Sequence, residues 1–101
     1  MHIPGVIKIG GHLFEVKIKT EEEGFFNSGR ILLQKGMILL SSNLIESKKV
    51  STLFHEIIHE ICWQSEIDLS ETVTSVLAER LYDVLSTNKM LKEKEEEYGR
   101  F

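Results

Sequence analysis

The sequence predicts an α+β fold, in which a small antiparallel sheet of three to four strands is followed by two packed helices. In the first forty residues, short apolar or alternating runs flank glycine-containing pairs, as is typical of β-hairpins. From residue 46 onward, apolar residues recur at spacings of three and four, the period of an amphipathic helix. A chain of 101 residues suffices for one modest core. We therefore predict a single domain over residues 1–88 and a charged, helical tail over residues 89–101.

The predicted sheet consists of two hairpins. The first joins Val6–Ile9 to Leu13–Lys19 through Gly10–Gly11, and its second strand alternates apolar and charged residues, which predicts one solvated face. The second joins Arg30–Gln34 to Met37–Ser41 through a lysine–glycine pair. Since glycine pairs of this kind form tight turns, each hairpin is predicted to be antiparallel.

Two helices are predicted after the sheet, from about Glu46 to Trp63 and from about Ser70 to Thr87. The short connection between them requires the helices to pack roughly antiparallel. Asp68 or Ser70 is the expected N-cap of the second helix, and Glu60 is expected to face solvent. The apolar stripe of the first helix is Val50, Leu53, Phe54, Ile57, Ile58, Ile61 and Cys62, and that of the second is Val73, Val76, Leu77, Leu81, Val84 and Leu85.

Composition and charge exclude several classes of function. The net charge of −4 and the scattered lysines provide no basic patch for nucleic acid. No apolar stretch approaches 18 residues, and the N-terminus does not resemble a signal peptide. The single cysteine, Cys62, excludes an internal disulfide and is predicted to be a small buried thiol. These features predict a cytoplasmic protein that binds neither membranes nor nucleic acid.

The motif most informative about function is His55-Glu56-Ile57-Ile58-His59, an H-E-x-x-H sequence within the first predicted helix. Residues four apart lie on one face of a helix, one turn from each other. Two imidazoles placed in this way can share one metal ion, and the glutamate between them can take the proton of a water molecule activated by that ion. The motif therefore indicates metal-assisted hydrolysis, with zinc peptidase as the leading hypothesis.

A third metal ligand is expected from the start of the second helix, because antiparallel packing brings that start close to His59. Glu71 lies there and is the candidate. An alternative is that Asp68-Leu69-Ser70-Glu71 forms a capping box, in which Glu71 binds the backbone, and its position also suits the helix dipole. Glu66 and Asp68 in the connection are weaker candidates for the ligand, and Glu79 is expected to be solvated.

The residues around the motif resemble a known family. Leu53–Ile61, followed by a short acidic loop and by Ser70–Val73 opening a helix, is similar to small gluzincins. These include compact H-E-x-x-H peptidase-like proteins of phages and mobile elements and, more distantly, the ImmA/IrrE-type peptidases. Val6–Val16 resembles the first hairpin of these proteins. The resemblance covers about residues 5 to 88 and is most specific around the two histidines.

The resemblance implies a minimal zincin-like fold in which His55, His59 and Glu71 bind Zn2+ and Glu56 is the general base. The chain is shorter than the larger gluzincins. It has neither a second lobe to close a substrate cleft nor an obvious downstream histidine to stabilise an oxyanion. Tyr82 lies on the same helical flank as Glu71 and is a candidate for that role, although a packed residue is the more ordinary interpretation.

Three functions remain open from the sequence. The first is a zinc metallopeptidase acting on a peptide or protein in the cytosol, with the strand Met37–Ser41 pairing an extended substrate. The second is a zincin-fold binding or regulatory protein whose zinc is structural. The third is a metal-free α+β domain that binds a partner through its C-terminal helix. The substrate and the oligomeric state are not specified by the sequence.

Overall fold

The computed structural model describes residues 3–20, 29–32 and 36–91. Its elements are β1 (Val6–Ile9), β2 (His12–Lys19), β3 (Gly29–Leu32), β4 (Met37–Ser41), α1 (Glu46–Ser65) and α2 (Glu71–Thr87). The predicted α+β class and the order of elements are confirmed. The end of the strand predicted over Arg30–Gln34 and the charged tail from residue 92 lie outside the described residues. No helix within the described ranges is long and apolar enough to cross a bilayer.

The four strands form one sheet in the order β1-β2-β4-β3. Both predicted hairpins are antiparallel, but β2 and β4 pair in parallel, with Val16 opposite Ile38. The prediction of a wholly antiparallel sheet is therefore wrong at this central pair. The turns determine pairing only within each hairpin. The uninterrupted apolar run of β4 suits a central strand buried on both faces, and Ile38, Leu39 and Leu40 are all buried.

The core lies between the sheet and α1. Leu53 of α1 is fully buried among residues from three strands, and burial of a leucine side chain stabilises the fold by about 1.5–3 kcal/mol. Ile57, one turn later, packs against the same cluster. The buried strand residues of this cluster are Ile9, Phe14, Val16, Ile38 and Leu40. Because the sheet supports α1 through these contacts, the H-E-x-x-H segment is carried on a fixed helix.

The C-terminal end of α1 is fastened to the sheet by a polar contact. The Nε2 atom of Gln64 donates to the backbone oxygen of Ile9 at 3.0 Å and to Oε2 of Glu60 at 2.7 Å. Glu60 is only 5% exposed, so the prediction that it faces solvent is wrong. Its position on the helical wheel lies off the apolar stripe, yet it is buried and is linked through Gln64 to the last residue of β1. Gly10 in the turn between β1 and β2 has a φ of 59°, and a Cβ there would lie 1.8 Å from Oε1 of Gln64.

The two helices are antiparallel, as predicted. Glu71, at the start of α2, lies 3.0 Å from His59 in the second half of α1. Glu79, further along α2, lies 3.7 Å from Lys48 in the first turn of α1. Ala78 is buried between the helices, and such a small side chain allows the backbones to come close.

The apolar stripe predicted for α2 does not form its buried face. Five of its members are between 43% and 52% exposed, namely Val73, Val76, Leu77, Leu81 and Val84. The buried residues of α2 are instead Thr74 and Ala78. Helical periodicity identifies a face that is apolar, but it does not determine which face the neighbouring helix covers. Here the small residues face α1, and the stripe is left exposed.

Candidate metal centre

The two histidines of the motif converge on one point beside α1. They are one helical turn apart, and their Nε2 atoms are 3.0 Å from each other. The rings meet edge to face, with centroids 4.6 Å apart and planes at 75°. Both rings are partly buried, because they lie on the flank of the stripe that faces the sheet. The helix thus presents two imidazole nitrogens to the same small volume.

Glu71 brings a carboxylate to this point from the first residue of α2. Ser70 is the N-cap of that helix, and its hydroxyl accepts from the backbone N–H of Val73 at 3.1 Å. Glu71 lies with Oε1 at 3.0 Å and Oε2 at 3.3 Å from Nε2 of His59, and Oε1 also contacts Nε2 of His55. Ser70 therefore caps the helix, and the Glu71 carboxylate is directed at the histidines rather than at the backbone.

The donor atoms of His55, His59 and Glu71 suit a single metal ion. One ligand atom from each residue lies within 4.8 Å of the others, and no second group of this kind occurs among the described residues. A tetrahedral zinc ion with bonds of about 2.05 Å separates its ligand atoms by roughly 3.3 Å. The separations of 3.0 Å and 3.3 Å in this cluster are close to that value. Two nitrogens and one carboxylate oxygen form a donor set that zinc accepts, with a fourth position left open.

Ser75 is a member of the site that the sequence did not reveal. Its Oγ lies 3.2 Å from Nδ1 of His55, one turn along α2 from Glu71. A hydroxyl that accepts from Nδ1 fixes the tautomer with its lone pair on Nε2, the nitrogen that faces the other ligands. The i, i+4 spacing from Glu71 was the available indication of a supporting role.

Glu56 is buried beside the cluster. Burial raises the pKa of its carboxyl, because the charged form loses hydration. The positive charges of His55 and His59 act in the opposite direction and the negative charge of Glu71 adds to the increase, but burial is the largest cause. A carboxyl whose pKa lies above its ordinary value is better matched to accepting and returning a proton near neutral pH.

The electrostatics of Glu71 are opposite to those of Glu56. The hydrogen bond with His59 is the largest influence and lowers the pKa of the Glu71 carboxyl. Burial, the second influence, raises this pKa, and the charges of both histidines and a hydrogen bond with His55 lower it again. Glu71 therefore remains a carboxylate, the form that binds metal. The surroundings thus shift the two pKa values in opposite directions: the pKa of Glu56 is raised, which favours its protonated form, and that of Glu71 is lowered, which favours its charged form.

The other candidate ligands lie outside the cluster. Glu66 and Asp68 are exposed in the connection between the helices. Glu79 is exposed, as predicted, and pairs with Lys48. Cys62 is a free, buried thiol, as predicted.

Tyr82 packs against Phe54, with ring centroids 6.3 Å apart and planes at 53°. This contact agrees with the interpretation of Tyr82 as a packed residue. The same tyrosine lines a small cavity with Ser47 and Lys48 of the first turn of α1, the opposite end of that helix from His59.

The strand expected to pair a substrate is not available for that purpose. Met37–Ser41 forms β4, which is hydrogen-bonded to β2 on one side and to β3 on the other. A strand paired on both sides has no backbone groups left to bind a peptide, so this prediction is wrong. Within the described part of the sheet the edges are β1 and β3.

Comparison of the chain with protein-family models, with curated proteins and with solved structures finds no match.

Proposed function

We propose that this protein is a zinc-dependent metallopeptidase that hydrolyses a peptide bond with Glu56 as the general base. The observation that carries the proposal is the convergence of Nε2 of His55, Nε2 of His59 and the carboxylate of Glu71, with a buried carboxyl beside it. The carboxyl of Glu56 is an ionisable group in addition to the three ligands that a metal-binding site needs. The resemblance of the motif region to small gluzincins of phages and mobile elements points in the same direction.

In this proposal the chain divides the chemistry among a few side chains. His55, His59 and Glu71 would hold the ion, and Ser75 would orient the ring of His55. A zinc ion held there would supply a Lewis acid for the scissile carbonyl and would lower the pKa of a bound water. The carboxylate of Glu56 accepts the proton of the attacking water and returns it to the leaving amine.

The substrate is proposed to be an extended segment of a cytoplasmic protein. β3 is an edge strand within the described sheet and follows the long connection from β2, so its open side offers backbone groups for strand addition. The free thiol of Cys62 is consistent with a reducing compartment.

Zinc stoichiometry by elemental analysis of the untagged protein is the first test. We expect one zinc ion per chain in the wild type and sharply weaker binding in Glu71→Ala. Glu79→Gln is the matched control, because it removes an acidic charge from the same helix outside the cluster. Protein that holds no zinc after reconstitution, or a Glu71→Ala variant that binds as tightly as the control, would contradict the proposed ligand set.

The second test separates catalysis from metal binding. Glu56→Gln is expected to keep the metal and to lose hydrolysis of a casein or peptide-library substrate by at least about a hundredfold, since general acid–base catalysis contributes about 10²- to 10⁴-fold. Cleavage at the wild-type rate by the zinc-loaded Glu56→Gln variant would refute the role of Glu56.

The alternative function is a zincin-fold binding or regulatory protein whose zinc is structural and whose activity is low or absent. The exposed apolar stripe of α2 favours it, because five large apolar side chains on one helical face are typical of a surface that a partner covers. One zinc ion per chain together with no cleavage of any library peptide would support this alternative over the peptidase.

A further inference from the structure

A wide groove lies at the end of α1, apart from the three residues of the metal cluster. Its volume is about 1110 Å³, and it is bounded by the β1–β2 turn, the last turn of α1 and the connection to α2. Three acids, Glu60, Glu66 and Asp68, contribute to its lining. Among the described residues that line it, the groove therefore has three acidic side chains and no lysine or arginine beside them.

Glu60 gives this groove a specific acceptor. Its side chain is buried, and Oε1 has no hydrogen-bond partner among the described residues. The side-chain amide of Gln64 donates one N–H to the other oxygen, Oε2, and its second N–H to the backbone oxygen of Ile9. Because an amide group has two N–H bonds, Gln64 has none left for Oε1. A buried carboxylate oxygen without a donor is costly, and a cationic ligand in the groove would supply one.

The arrangement favours an organic cation over a metal ion. The acids of the groove do not converge, since the only group of metal-ligating atoms within 4.8 Å of one another in the described residues is His55, His59 and Glu71. Apolar side chains also line the groove, among them Trp63 and Ile67, and Trp63 is 69% exposed. An aliphatic stem can pack on such side chains while its charged end reaches an acid, and a guanidinium group also stacks on an indole ring.

We propose that this groove binds a basic side chain, arginine or lysine, of the peptide substrate; the inference rests on the proposed peptidase function. Trp63 follows His59 by four residues, which is one helical turn or about 6 Å along the axis. An extended peptide advances about 3.3 Å per residue. The basic residue is therefore about two positions from the bond that is cleaved. Glu60 binds its charged end, and Trp63 covers its stem.

The test uses the fluorescence of Trp63, the only tryptophan in the chain. The full-length, zinc-loaded Glu56→Gln protein is titrated with acetyl-Ala-Arg-Ala-amide, with the lysine peptide and with the peptide containing citrulline, which has nearly the shape of arginine without its charge. We expect saturable changes in emission and at least tenfold tighter binding of the arginine or lysine peptide than of the citrulline peptide. No saturable change, or equal affinities for the charged and neutral peptides, would overturn the proposal.

A second set of variants assigns the preference to Glu60. Glu60→Gln, which keeps an acceptor for Gln64, is expected to abolish the preference for the charged peptide, whereas Glu79→Gln retains it. The Glu66→Gln/Asp68→Asn double variant alters only exposed positions and is expected to reduce the preference at least threefold. Retention of the full preference in both groove variants would refute the assignment.

Binding and cleavage distinguish this inference from the proposed function. Selective binding of basic peptides by a wild-type protein that cleaves none of them would refute the peptidase and leave the groove assigned. Cleavage of library peptides with no enrichment of basic residues within three positions of the cleaved bond would refute the groove and leave the peptidase.

Discussion

Removing the hydroxyl of Ser75 is expected to weaken zinc binding without removing a ligand. Oγ of Ser75 lies 3.2 Å from Nδ1 of His55, at the long end of the range for an N–H···O hydrogen bond. A bond of this kind is worth about 0.5–1.5 kcal/mol, equivalent to roughly a 2- to 13-fold change in affinity. Outer partners of metal-binding histidines typically contribute about 10- to 100-fold. The overlap of these ranges predicts that Ser75→Ala binds zinc about tenfold more weakly.

Competition with a chromophoric zinc chelator measures this change. Ser86→Ala is the matched control, because the hydroxyl of Ser86 lies on the same helix and donates to the backbone oxygen of Asp83 at 3.3 Å, away from the cluster. Loss of the hydrogen bond should change the zinc affinity by more than about twofold. If the affinity of Ser75→Ala lies within about twofold of the control, Ser75 does not position His55. The proposed role of the hydroxyl would then be refuted even if the ligands themselves were correct.

Three further perturbations test the structure itself. Burial raises the pKa of Glu56 above its value in the unfolded chain, so the charged carboxyl opposes folding. In metal-free protein, Glu56→Gln should therefore raise Tm at pH 7. The difference in Tm between variant and wild type should shrink toward pH 4, where the wild-type carboxyl becomes protonated in both the folded and the unfolded state. Gly10→Ala should lower the free energy of unfolding by about 1 kcal/mol more than Gly11→Ala. The backbone φ is positive at both glycines, but only at Gly10 would the new Cβ overlap a side-chain oxygen, at 1.8 Å. Equal losses for the two variants in urea unfolding would contradict that contact. Leu53→Ala should cost about 2–5 kcal/mol and Leu81→Ala much less, since Leu53 is fully buried and Leu81 is 43% exposed; a similar loss at both positions would mean that the α2 stripe is covered in solution.

Much of the architecture follows from local patterns in the sequence. The Gly10–Gly11 turn and the alternation in β2 placed the first hairpin correctly, because tight turns and two-residue periodicity are local properties. The second helix begins at Glu71, next to one of the two caps expected. The H-E-x-x-H spacing places His55 and His59 on one face of any helix that contains them.

The arrangement of the sheet is not a local property. Hairpin turns determined pairing within each hairpin, whereas the parallel pairing of β2 with β4 depends on how the second hairpin docks. The apolar run of Met37–Ser41 was the available indication of a central strand, since it offers no polar face to solvent. Tertiary contacts likewise bury Glu60, an outcome that a helical wheel drawn for α1 alone does not contain.

For the candidate metal centre, too, some features follow from the sequence and others only from the tertiary structure. The sequence by itself determined that two imidazoles and a glutamate share a turn of α1, and the short connection brought Glu71 near them as a candidate. Only the tertiary structure decided that the Glu71 carboxylate lies at His59 while Ser70 caps the helix. It also decided that Oγ of Ser75 lies 3.2 Å from Nδ1 of His55 and that the apolar stripe of α2 is exposed. Spacing along one helix is set by the geometry of its backbone, whereas the meeting of side chains from two helices depends on the rotation of each helix about its own axis, which packing alone determines.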